Sequence, residues 1–337
     1  MSFRTAAETF AVWLARQIYG GIGAIFCLHR IVPDGERSAL PDNRALEITP
    51  ESLREMLAWA AGRGLEVIAL DQVPERLARP RRGKFACFTF DDGYRDNLTL
   101  ALPVFREFGM PFAVHVTPGL IDGSASVWWY QIEAALRCGE PLDFMWRGRE
   151  FRWAAGSRDA FPALAKMIRE EPGGAREDLV AAICGAAEID TAGVQRRLMM
   201  TWDEVRRLAA DPLVTVGAHT VTHPVLRLLG EAEALAEMAD SKRQLEVQLG
   251  GPVRHLAFPF GGENAVSSRE FRLAEQAAFS TATTTRCANL FPAHARHLTA
   301  LPRLTVSGNY PVPDRARKLE SGLLSARERK GRRVVVE

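Results

Sequence analysis

Paired cysteines are missing from this chain of 337 residues. The five it has, Cys27, Cys87, Cys138, Cys184 and Cys287, are odd in number, scattered, and never spaced Cys-x-x-Cys. That excludes a disulfide framework and a thiolate zinc site, and leaves most of them to act as small buried hydrophobes. Long apolar runs are missing too: none reaches the roughly 18 residues of a membrane span. Arg4, Glu8 and Arg16 interrupt the apolar N-terminus "MSFRTAAETFAVWLARQIYGGIGAIFCLHR", which argues against the central segment of a secretory signal. The expected location is therefore cytoplasmic. Phe10, Trp13, Leu14 and Ile18 fall at helical spacing, so the first helix is expected to face the core, with contact to a membrane surface as the alternative. Net charge is only +2, from 43 basic and 41 acidic residues, which gives no support to nucleic-acid binding.

What is there is an alternation. "GAIFCLHRIV" (23–32), "LEVIAL" (65–70), "FACFTF" (85–90) and "PFAVHVTPG" (111–119) read as buried strands. Helical stretches separate them: "TPESLREMLAWAAGRG", capped by Thr49 with Pro50 at its first position, and "NLTLALPVFREFG", stopped by Gly109. Strictly alternating elements imply parallel strands with helices outside, an α/β layered or barrel fold whose chemistry gathers at the strands' carboxyl ends. From about 124 to 200 the pattern turns mainly helical, an insertion within a single domain whose core runs from about 22 to 310. Strands and helices then resume. The basic tail after about 313 reads as a frayed helix.

Two places on this frame carry chemistry. The strand "FACFTF" ends directly in Asp91 and Asp92, followed by Gly93. Adjacent carboxylates repel and resist burial, so either they mark a turn or something compensates them. The strand beginning "LVTVGAHTVTHPVL" ends in His219 and His223. If the backbone turns helical there, the four-residue spacing sets both imidazoles on one face, with Pro224 opening the turn. Two histidines and a carboxylate make an open site for zinc or iron. One acid of the doublet can then bind the cation, while the other takes a proton from water activated there.

The chain resembles the NodB-type polysaccharide deacetylases, carbohydrate esterase family 4. The residues that carry the resemblance are "TFDDGYRDN" at 89–97, "GAHTVTHPVL" at 217–226, "AFPFGG" at 257–262 and "LPRLTV" at 301–306, in the family's order. "CLHRIVPDG" and "LEVIALDQV" support it. The resemblance implies a distorted (β/α) barrel, a divalent metal (usually zinc), and hydrolysis of an N-acetyl group on an amino sugar. It implies Asp91 as catalytic base, Asp92, His219 and His223 as metal ligands, and Pro259 and Phe260 as a wall of the substrate groove. The backbone N–H at the Phe260 position is implied to steady the oxyanion.

Two departures stand out. The family's loop arginine is replaced by Ala257, and Arg303 on the last strand is the candidate to steady Asp91 instead. The family's Leu-x-His motif is absent. His297 is the expected proton donor, with His294 as the alternative. Trp129, beside Trp128 and Tyr130, is a candidate to stack on sugar, or else part of a hydrophobic seam. His29 is expected to line the groove mouth, and His115 is weighed for the same place. The substrate expected is an N-acetylated glycan or a lipid- or nucleotide-linked sugar. The rival readings are an amidase or esterase on other substrates and a silent glycan-binding relative.

Overall fold

Phe85–Phe90 carries no charged residue, and neither does Gly23–Leu28, so both can be buried on both faces. In the computed structural model, which describes residues 3–80, 83–171, 173–328 and 331–334, they pair in parallel along their whole length, Gly23 against Phe85 through Leu28 against Phe90. Buried parallel strands of this kind are expected to be continuously apolar. They are strands β1 (Gly23–Leu28) and β3 (Phe85–Phe90) of a single parallel sheet. The others are β2 (Glu66–Val67), β4 (Phe112–Val116), β5 (Val214–Ala218), β6 (His255–Ala257), β7 (Thr281–Thr283) and β8 (Leu304–Thr305). The spatial order is β7-β6-β5-β4-β3-β1-β8, with β2 lying against the start of β3. A parallel bridge between Thr283 and Leu301 joins the two edges, so the sheet curls into the expected barrel.

All the strands point the same way, and the two ends of the barrel differ. The segment from Ile68 to Leu77 crosses the amino ends of the strands and packs Ile68, Leu70, Val73 and Leu77 against Ile25, Phe85 and Leu290. That floor leaves only the carboxyl ends open to a ligand. "LEVIAL" is accordingly strand only at Glu66–Val67 before it turns beneath the barrel.

Between β4 and β5 the helices Pro118–Asp122, Trp128–Arg137, Ala160–Glu170, Gly173–Ala186 and Thr191–Leu198 have an apolar cluster of their own, including Trp128, Ile132, Leu164 and Ile183. "FMWRGREFRW" forms an antiparallel hairpin, Leu142–Trp146 with Arg149–Trp153. Arg147 and Gly148 take positive φ at its tip, as a tight two-residue turn requires.

Both ends of the chain depart from expectation. The tail is a docked pair of helices, Val312–Glu320 and Leu323–Glu328, not a frayed one. Buried Glu320 receives Arg16 at 2.8 Å and Lys84 at 3.3 Å, which ties the tail to the first helix and to the base of β3. The first helix, Phe3–Tyr19, turns Val12 and Ala15 inward and leaves Phe10, Trp13 and Leu14 exposed by 62%, 54% and 44%. The helix rests on Leu323–Glu328, and the bulky residues fall on its other side.

Candidate active site

Asp91 and Asp92 leave the carboxyl end of β3 side by side, yet they meet different partners. Asp91 is buried, with Arg303 donating to both of its oxygens, Nη1 to Oδ1 at 2.7 Å and Nη2 to Oδ2 at 2.6 Å. Arg303 stands just ahead of β8, fixed by Nε to the Thr284 carbonyl and by Nη1 to Thr89 Oγ1. The buried ring of His115, on β4, lies with Nδ1 3.1 Å from Asp91 Oδ1. Cys27 Sγ lies 3.5 Å from Oδ2. Burial pushes the Asp91 carboxyl up, but the charges of Arg303 and then His219 outweigh it and hold it well below the usual carboxylate range. Asp91 is therefore an anion at neutral pH. Burial lowers His115 to about 4, so its ring is neutral.

Asp92 faces the other way. Its φ is 75°, a left-handed conformation unusual for a residue with a side chain. Its Oδ1 lies 3.4 Å from Nε2 of His219 and 3.4 Å from Nε2 of His223, and has no hydrogen-bond partner among the described residues. His219 Nδ1 is 2.7 Å from the Ala257 carbonyl. A carbonyl can only accept, so Nδ1 carries a proton, which leaves Nε2 as the atom to coordinate a cation; without one, burial lowers the pKa of the ring, but the charges of Asp91 and Asp92 outweigh it and raise it. Asp92, His219 and His223 thus bring three ligand atoms within 4.8 Å of one another, a donor set suited to zinc. Burial holds His223 down at about 3, a neutral ring able to coordinate.

The histidine pair is not helical, contrary to the expectation from its spacing. His219 leaves β5, and the chain turns through Thr220 (φ 62°) and His223 (φ 57°). Glu237, from the helix Glu231–Leu249, accepts from the N–H groups of Val221 and Thr222 and from Thr222 Oγ1. Arg176 donates to the carbonyls of Thr222 and His223 from the helix Gly173–Ala186. These contacts hold a backbone that the residues would not choose alone. With Asp92 and Phe260 (φ 60°), four non-glycine residues at the site hold left-handed conformations, each costing roughly 1–3 kcal/mol. Gly217 makes room for the His115 ring beside Asp91, since a Cβ there would stand 2.5 Å from that ring.

Asp91, Asp92, His219 and His223 open into a cleft of about 470 Å³. His29, Trp128, Trp129, Phe161, Arg169 and Phe260 are among its walls. Trp129 is nearly buried; its ring is 5.3 Å from that of His223, and its Nε1 donates to Tyr94 Oη at 2.8 Å. It lines the cleft and also belongs to the apolar seam, so both expectations meet in one residue. Tyr130 turns away to donate to Glu47. The Phe260 ring stands 4.9 Å from that of His223, whereas Pro259 is buried and not among the residues lining the cleft.

His297 and His294 are not brought here. They belong to the turns Pro292–Arg296 and Leu298–Ala300, whose Ala295 and Leu298 pack on the floor at the opposite end of the barrel. The expected proton donor is thus misplaced, because the chain still has to run along the wall from Leu301 to Thr305 before it reaches the mouth. His29 is at the mouth instead, with a ring nitrogen within 4.8 Å of a carboxylate oxygen of Asp91. Burial lowers its pKa, against the charges of Asp92 and Asp91. Sequence reasoning missed Phe161, Arg169 and Arg176, which lie in the helical stretch without a motif of their own.

A carboxylate and two histidines beside a second, arginine-held acid, at the carboxyl mouth of a parallel barrel, is the arrangement of hydrolases that activate water at a metal. A family model, polysaccharide deacetylase, matches residues 78–279. The chain belongs to the polysaccharide deacetylase family, whose members are amide hydrolases. IcaB from Ammonifex degensii superposes with a TM-score of 0.58 at 18% identity, over 89% of this chain and 98% of that one. The Streptococcus pyogenes deacetylase PplD, solved with acetate, gives 0.56 at 16% identity, over 89% and 97%. A poly-beta-1,6-N-acetyl-D-glucosamine N-deacetylase of Escherichia coli K12 is 32% identical over 72 residues, which are 21% of this chain and 11% of that relative's length.

Proposed function

We propose that this protein removes the acetyl group from an N-acetylated amino sugar within a glycan or glycan precursor. The observation that carries the reading is the split of one Asp-Asp doublet into two roles, Asp92 facing the Nε2 atoms of two imidazoles and Asp91 locked on Arg303. The E. coli relative is named for an N-acetylglucosamine polymer, and the cleft here is large enough for sugar rings.

Asp92, His219 and His223 hold a divalent cation, zinc by the chemistry of the donors. Their fit is supported by the unpartnered Asp92 Oδ1 and by the His219 tautomer. Such an ion, when bound, polarises the acyl oxygen and lowers the pKa of water. Asp91, an anion held in one orientation by Arg303, takes the proton from the attacking water. The N–H of Phe260, a residue that lines the cleft with a backbone φ of 60°, is the donor for the developing oxyanion. His29, a neutral ring beside Asp91, relays to the departing amine the proton that Asp91 takes from water, the role His297 is too distant to fill. Trp129 and Phe260 wall the cleft and set the acetyl group between base and donor.

The test is metal content and acetate release, measured together on wild type and Asp91→Asn with an N-acetylated oligosaccharide. Wild type with about one divalent ion per chain and acetate release, beside a mutant with metal and no release, supports the mechanism. Equal release by both proteins refutes it.

A further inference from the structure

The barrel floor carries a pattern that the deacetylation site does not use. Phe10, Trp13 and Leu14 stand exposed on one face of the helix Phe3–Tyr19, with the Phe10 and Trp13 rings stacked at 5.9 Å. Isolated exposed hydrophobes are ordinary, but three adjacent large ones on a single helix face are not. The helix is anchored by its far end: Arg16 pairs with Glu320, and Lys84 reaches both the Gly20 carbonyl and Glu320. Lys84 precedes β3 directly, so the helix joins the molecule at the floor, opposite the cleft.

Charge on that floor is one-sided. Arg63 precedes β2, Arg79 ends the helix Val73–Ala78 beneath the barrel, and Arg296 lies in the turn that packs on it. Arg332 and Arg333 come directly after Gly331, which stands against Tyr19 at the foot of the first helix. All five are exposed, and none has a carboxylate within ion-pair distance among the described residues. The acids nearby are engaged: Glu66 by Arg76, Asp71 by His255 and Thr215, and Glu320 by Arg16 and Lys84, while Glu75, exposed on the helix Val73–Ala78, is not free either. In a chain of net charge +2, this gathers exposed arginines at the end of the barrel that also carries the aromatic helix face.

We propose that the floor docks on an anionic lipid surface, with Phe10, Trp13 and Leu14 set into the headgroup boundary and the arginines facing lipid phosphates. Aromatic residues on one helix face beside unpaired arginines are what an interfacial helix requires. A protein partner would call for a shaped apolar recess, whereas an exposed aromatic helix face at the same end of the barrel as exposed arginines suits a soft, uniformly charged surface. The cleft then opens away from the lipid, so the acetylated sugar is met on the water side. No helix of the described residues is long and apolar enough to cross a membrane, and docking of this kind does not need one.

The experiment is flotation of the full chain with vesicles of phosphatidylcholine alone and of phosphatidylcholine with about a third phosphatidylglycerol. Wild type is expected to float with the anionic vesicles and lose binding as salt rises. Phe10→Ser with Trp13→Ser, and separately Arg79→Glu with Arg296→Glu, should each reduce the partition coefficient at least tenfold, since one basic residue near such a surface contributes about fivefold. Circular dichroism and metal content verify the fold without reference to catalysis. The proposal is overturned if wild type stays with the soluble fraction, or if both double variants float as wild type does. It is equally overturned if the aromatic variant merely turns a dimer into a monomer without changing flotation.

Discussion

Arg303 holds Asp91 through both arms of its guanidinium, at 2.7 and 2.6 Å, across 212 residues of sequence. Its Nε is committed to the Thr284 carbonyl, and Nη1 also reaches Thr89 Oγ1. A lysine would keep the charge but cannot supply the fork. Arg303→Lys should therefore retain metal and lower kcat by about a hundredfold through misplacement of the base. Arg303→Met should also unfold more easily, by about 3–5 kcal/mol, because it leaves Asp91 buried and unpaired. Full activity in either variant would remove Arg303 from the mechanism.

His29 and His297 make a clean pair of variants because one lies at the mouth and the other beside the floor. His29→Gln should reduce kcat by about 10²–10⁴ at unchanged metal content, the range for loss of a positioned acid. Its loss should be smaller on substrates with a better leaving group, which need less protonation. His297→Gln should be indistinguishable from wild type. A reversal of the two results would return the proton donor to the last strand.

The contrast between these two histidines shows what the sequence could reveal. Asp91, Asp92, His219 and His223 were legible because they come just after apolar strands, and parallel strands deliver the residues beyond their carboxyl ends to one mouth of the barrel. Arg303 was legible for a similar reason, being the one cation beside the last strand. His297 misled because nearness to a strand in sequence does not say which end of it a residue occupies. The non-helical path from His219 to His223 was hidden as well: spacing suggests a turn, but Thr220, Glu237 and Arg176 impose another. The outward face of the first helix depended on its register against Leu323–Glu328, which no local pattern encodes.

Arg176 offers a test of that imposed path. It touches no atom of the donor set but binds the carbonyls of Thr222 and His223. Contacts that orient a ligand from behind typically contribute about 10–100-fold to metal affinity. Arg176→Met should weaken zinc retention against a competing chelator by that factor, and excess zinc should restore activity. Asp92→Ala should lose the metal outright, and wild type stripped by a chelator should be inactive until zinc is returned. Arg176→Met with wild-type retention would make the clamp purely structural.

Acid should destabilise the fold through histidines it keeps neutral, and His294 is the one to follow because it is far from the metal ligands. It is completely buried, and burial lowers it to about 4 from an ordinary value near 6.5. Its Nδ1 lies 3.0 Å from the Phe291 N–H and 3.2 Å from the Phe291 carbonyl, and its Nε2 has no partner among the described residues that could accept from a charged ring. In the unfolded chain the ring takes a proton as pH falls below about 6.5, while the folded chain resists until about 4. The stabilisation is therefore fully present above pH 6.5 and is lost progressively down to about 4, on the order of 3 kcal/mol. Urea melts should run parallel to those of His294→Gln above pH 6.5, and between pH 6.5 and 4.5 wild type should lose stability more steeply, by up to about 1.4 kcal/mol per unit. Curves that stay parallel below pH 6.5 would mean that the His294 ring is already charged inside the fold.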